Sequence, residues 1–148
     1  MSLHLLSAEE ILTYWPQISP HIDVALEHSV GEITTFQTFK HAMNGQMHVW
    51  IYVDQNKITS AFATRFLIFD NCKSLQIMTC GGAVADWELT QSVHSVFEQF
   101  AKKNKCQNIQ IWGRKGWVKR MENITSESGT KYKPLYTVIS MEIENDFN

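Results

Sequence analysis

Cysteine is scarce in this chain. Cys72, Cys80 and Cys106 are odd in number and show no CxxC spacing, so neither a disulfide framework nor a zinc cage is implied, and a reducing, cytosol-like compartment is expected. Charge of one sign is not in excess either. Thirteen Lys and Arg against 15 Asp and Glu leave a net charge of -2, which gives no global pull toward nucleic acid or an anionic membrane. No apolar run approaches the roughly 18 residues of a membrane helix. The opening Met1-Ser2-Leu3-His4-Leu5-Leu6 lacks the basic region of a secretory signal and runs into Glu9 and Glu10. The six histidines show no HxH or HxxxH spacing, so no metal site is expected. Repeats, low-complexity tracts and interdomain linkers are absent from the sequence.

What is present is apolar and aromatic: 44% hydrophobic residues and 11% aromatic, with five Trp. The 148 residues fit one domain, residues 1–148, and a chain of that length buries about 70% of its unfolded surface, enough for a core without covalent staples. Ser7-Ala8-Glu9-Glu10 is a capping box with Leu6 and Ile11 placed as a staple. Pro16 disfavours the helical conformation at Trp15, which predicts a short first helix and a restart at Ser19-Pro20. A further helix is predicted over residues 34–43, stopped by Asn44-Gly45. The period then changes to two. Strands are predicted over 48–53, 58–69 and 74–79 as an antiparallel meander, with Asp54-Gln55-Asn56-Lys57 as the first turn. Cys80-Gly81-Gly82-Ala83 breaks the pattern, Asp86 caps a helix over 87–103, and a strand follows over 108–112. Strand, helix and strand in succession predict a parallel pair with a right-handed crossover. A short helix over 117–124 and a last strand over 136–143 complete a mixed sheet of about five or six strands.

This order of elements resembles the GNAT superfamily of acyl-CoA-dependent N-acyltransferases, over roughly residues 19–143. In that family a Gln or Arg, two residues, Gly, one residue and Gly or Ala follow the fourth strand, and the backbone amides there hold the cofactor pyrophosphate. In Met78-Thr79-Cys80-Gly81-Gly82-Ala83 the two small positions are Gly81 and Ala83, while Met78 stands where Gln or Arg is expected. The resemblance implies acetyl-CoA held by Ile77, Met78, Thr79, Gly81, Gly82 and Ala83. The same stretch also reads as a strand-to-helix turn that needs glycine for its backbone angles. Gly45-Gln46-Met47-His48-Val49-Trp50, Phe100-Ala101-Lys102-Lys103-Asn104-Lys105-Cys106 and Ile111-Trp112-Gly113-Arg114-Lys115-Gly116-Trp117 are similar to small phage and prophage proteins like the GNAT-like internal virion protein of T7-type phages. That narrower resemblance implies a fold kept for binding rather than chemistry, in a virion or in the host cytoplasm.

For acyl transfer Glu32, His48 and Asp54 lie before or within the early strands as candidate bases, and His48 is favoured, since an imidazole titrates near neutral pH, although a strand histidine also serves as a hydrogen-bonded packing residue. The family's acid is a Tyr in the helix after the fifth strand; here Trp117 occupies that helix, and Tyr136 or Tyr132 would have to fold back. Tyr136 is taken as the candidate acid. Cys80 at a helix start would have a lowered thiol pKa, but no partner base accompanies it. Arg114, Lys115, Lys119 and Arg120 interleave with Trp112 and Trp117. They form either a solvated helix face or a grip for a phosphate, a nucleic-acid backbone or an acidic protein partner, the last through Trp112, Arg114, Trp117 and Arg120.

Overall fold

The computed structural model describes residues 2–27, 31–82, 91–112, 121, 125, 129 and 131–144. Its elements are β1 (Ser2–Leu5), α1 (Ala8–Leu26), α2 (Thr35–Met43), β2 (His48–Asp54), β3 (Lys57–Ile68), β4 (Lys73–Gly82), α3 (Gln91–Lys103) and β5 (Asn108–Ile111). The strands form one sheet in the order β1-β2-β3-β4-β5. β1 to β4 pair antiparallel, and β4 and β5 pair parallel across α3. The predicted meander and crossover are therefore present, and the fold is mixed α/β.

The capping box forms as read: Ser7 accepts from the Glu10 amide and the Glu10 carboxylate accepts from the Ser7 amide. These bonds hold the Glu10 carboxyl below its usual range. The break expected at Pro16 does not occur, because α1 runs unbroken through Pro16 and Pro20. Both prolines are exposed, whereas Ile11, Ile18 and Ile22 are buried on the other side. The carbonyls of Leu12 and Pro16, which lose their donors, thus open toward water. Packing of the isoleucines, with Trp15 at 4.9 Å from Phe39, overrides the local preference against helix. β1 is also missing from the sequence reading; it is four residues long and exists through its ladder to β2.

Local chemistry shapes the turns. Gln55 and Asn56 both take positive φ between paired Asp54 and Lys57, a two-residue turn that matches the twist of a hairpin. Gly45 has φ +76 and closes α2, with its amide on Ala42 and that of Gln46 on His41. β4 continues through Cys80, Gly81 and Gly82, paired with Phe62, Ala61 and Ser60. The break predicted at Cys80 is thus displaced, because the ladder to β3 outweighs the weak strand preference of glycine. Cys80 itself sits in β4, paired with Phe62. The strand predicted over 136–143 is also corrected: residues 132–144 have no regular structure. Strand preference is realised only against a neighbour.

The core lies on both faces of the sheet. Under α3, Trp50, Tyr52, Phe62, Leu75 and Ile77 pack with Val93, Phe97, Ala101 and Met121. Burying each such large side chain stabilises by roughly 1.5–3 kcal/mol. Under α1 and α2, Ile11, Ile18, Ile22 and Ala42 pack on Val49, Ile51 and Ala61. Among the described residues no helix is long and apolar enough to cross a membrane.

Candidate functional site

The parallel ladder is short. It pairs Ser74 with Asn108 through Ile77 with Ile111, while β4 runs on to Gly82 paired with β3. Among the described residues no strand lies against the other edge of Met78 to Gly82, which leaves a candidate mouth between β4 and β5 at their C-terminal ends. Such an edge presents unpaired backbone N–H and C=O groups. A bulge sits at its base: Thr64 pairs with Ile77 and Ala63 with Thr79, leaving Met78 as the extra residue. Bulges bend and twist the strand that carries them.

Of the expected cofactor residues, Ile77, Met78, Thr79, Gly81 and Gly82 follow one another along this edge, and Ala83 lies outside the described residues. Ile77 turns its side chain into the core under α3, so only its backbone is available. Met78 packs with Ile33, Met47 and Ala63. Thr79 is 4% exposed, and its hydroxyl has no hydrogen-bond partner. That leaves a buried donor unsatisfied beside the mouth. The capping residue Asp86 and the basic residues Arg114, Lys115, Lys119 and Arg120, with Trp117, also lie outside the described residues. Trp112 is exposed and its indole N–H donates to Gln110 at 3.0 Å.

His48 is half-buried, its ring against Phe66 at 4.7 Å and Phe100 at 5.1 Å. Its Nδ1 lies 2.8 Å from the Thr64 hydroxyl, which also accepts from the Trp50 indole at 2.9 Å. Burial, reinforced by Lys73, lowers its pKa, which favours the neutral ring. Tyr136 is 68% exposed, and among the described residues no contact joins it to His48. Tyr132 is the tyrosine that folds back. Its ring packs on the cluster under α3, and its hydroxyl is 3.2 Å from His94 Nδ1. Burial, then Glu98, raises the Tyr132 pKa, and burial lowers that of His94 to about 4. This pair was missed because only the fold brings residues 94 and 132 together. Arg65 and Gln76 escaped notice as well, read as ordinary strand positions. The signal available was an arginine inside the strand predicted over 58–69, which holds no other charged residue. Among the described residues no group of three or more His, Cys, Asp or Glu is gathered for a metal.

No protein-family model matches the sequence, and no characterised protein matches it by sequence. Solved structures do match in shape. A probable acetyltransferase aligns with TM-score 0.67 at 10% identity over 99% of this chain and 100% of its own. The ribosomal-protein-alanine N-acetyltransferase of Brucella melitensis biovar Abortus 2308 gives 0.65 at 7% identity, over 96% and 98%. An aminoglycoside acetyltransferase from an uncultured soil metagenomic sample, solved with sisomicin, gives 0.61 at 10% identity, over 95% and 96%. The fold is that of the GNAT acetyltransferases. At such identities the likeness is one of fold, and the resemblance to phage proteins rests on the sequence segments alone.

Proposed function

We propose that the protein is an acyl-CoA-dependent N-acyltransferase that holds its cofactor in the mouth between β4 and β5. The observation that carries this reading is the ladder ending at Ile77 and Ile111 while β4 continues to Gly82. Acetyl-CoA is the expected cofactor, and the residues fit it. The free edge of Met78 to Gly82 offers amides to a pantetheine chain, the orphaned Thr79 hydroxyl offers one more polar contact, and Gly81 and Gly82 keep the rim free of side chains. A bound acyl-CoA supplies a thioester whose carbonyl an amine attacks, giving an amide and a free thiol. Base and acid roles for His48 and Tyr136 remain part of the proposal. Tyr132, which folds back onto the cluster under α3, is the alternative acid.

One observation favours a second reading, in which the fold binds without catalysing. Met78, at the position of the family's Gln or Arg, spends its side chain on Ile33, Met47 and Ala63 rather than on an anion. In that case the working surface is Trp112 with Arg114, Trp117 and Arg120, against a protein partner. Calorimetry with acetyl-CoA separates the two. The acyltransferase reading expects micromolar binding, weakened roughly tenfold or more by Gly82→Glu through repulsion of the pyrophosphate. Absence of heat at millimolar acetyl-CoA would leave the binding role.

A further inference from the structure

Arg65 is the one arginine among the described residues, and it is half-buried on the sheet. Its Nε–H donates to Gln76 Oε1 at 2.7 Å. Gln76 is 1% exposed, an expensive place for an amide unless it has work to do. Among the described residues no carboxylate pairs with Arg65; the ion pair present is Lys102 with Glu98. The Nε is thus committed and the outer fork of Nη1 and Nη2 is not. A guanidinium fixed in this way presents two parallel N–H groups end-on, the geometry that matches both oxygens of a carboxylate.

Register places this fork. Arg65, Gln76 and Gln110 are ladder partners across β3, β4 and β5. Their row is the one beside Ile77 and Ile111, about 3.3 Å below the base of the mouth. Leu75, Ile77, Ile109, Ile111 and Phe66 pack on the cluster under α3, so Gln76, Gln110 and Arg65, which alternate with them, face the opposite side. Ala63 also faces that side, with Met78; Thr79, its ladder partner, therefore shares it. Polar groups continue along the strip: Gln110 donates to Ser74 at 3.4 Å and accepts from Trp112. The result is a half-buried cation with no carboxylate partner among the described residues, in a polar row one residue below the base of the mouth, on the face away from α3.

We propose that Arg65, oriented by Gln76, receives a carboxylate of the acyl acceptor, so that the acceptor is an amine that also carries a carboxylate, of the amino-acid or short-peptide class. This rests on the acyltransferase reading for the transfer, but not for the binding. Glycylglycine and its C-terminal amide serve as paired probes. In nitrogen-15 NMR the Arg65 Nε–H resonance, identified by its loss in Arg65→Lys, shifts with millimolar glycylglycine and stays in place with the amide. In a thiol-release assay with acetyl-CoA, the acid is preferred over the amide by roughly tenfold or more. That ratio falls toward one in Arg65→Met and is partly restored in Arg65→Lys. Equal shifts from acid and amide, or no shift from either, would overturn the proposal, as would a preference that survives Arg65→Met. The titration needs no cofactor and the calorimetry above needs no acceptor, so each reading can fail by itself.

Discussion

Two histidines in this chain are held neutral by burial, and they make its stability depend on pH. His94 has its pKa lowered to about 4, against the 6.5 of an exposed imidazole. Between those values the unfolded chain takes up a proton that the folded chain refuses, so stability is full above pH 6.5 and is lost as pH falls toward 4. The loss is on the order of 3 kcal/mol, and His48, shifted in the same direction, adds to it. Urea unfolding at a series of pH values should show this slope, and His94→Gln should flatten it; an unchanged slope would mean that other groups carry it. The site was partly legible at this scale. Gly81 and Gly82 stand out in any reading, and they lie at the end of β4. Arg65 and Gln76 did not stand out, because what sets them apart is a shared row on one face, and that depends on a register which no single strand reveals. The pairing of His94 with Tyr132 is likewise a product of chain return.

Among the elements, α1 shows where a local rule gives way. Two prolines four residues apart predict a break, and a strip of isoleucines on the far side prevents it. Because Pro16 is exposed and its ring displaces one helix hydrogen bond, Pro16→Ala should raise stability by about 1–3 kcal/mol, read from the midpoint of denaturant unfolding. A drop instead would show that α1 needs the bend. The meander and the crossover were legible because their apolar residues alternate or recur at helical spacing and their turns carry the residues that turns require. β1 was not, since four residues hold too little pattern. The strand expected over 136–143 failed for the reason that composition records a preference and not a neighbour.

For the molecule as a whole, protection is unequally shared. Both faces of the sheet are covered by helices, whereas residues 133–144 are exposed throughout, with Ile139 at 92%. Brief chymotrypsin treatment should therefore cut first near Leu135, Tyr136 or Met141, leaving a core that retains Trp50, Phe62 and Phe97, as mass spectrometry would record. A first cut within β2 or β3 would contradict this architecture. The supernumerary residue Met78 has a different kind of consequence. Elsewhere in a strand, gain or loss of a single codon turns every later side chain to the wrong face. At Met78 the loss would simply let Ile77 and Thr79 become neighbours, in step with Thr64 and Ala63. The aperture beside it is thus a feature that an in-frame deletion can narrow while the rest of the sheet keeps its sides.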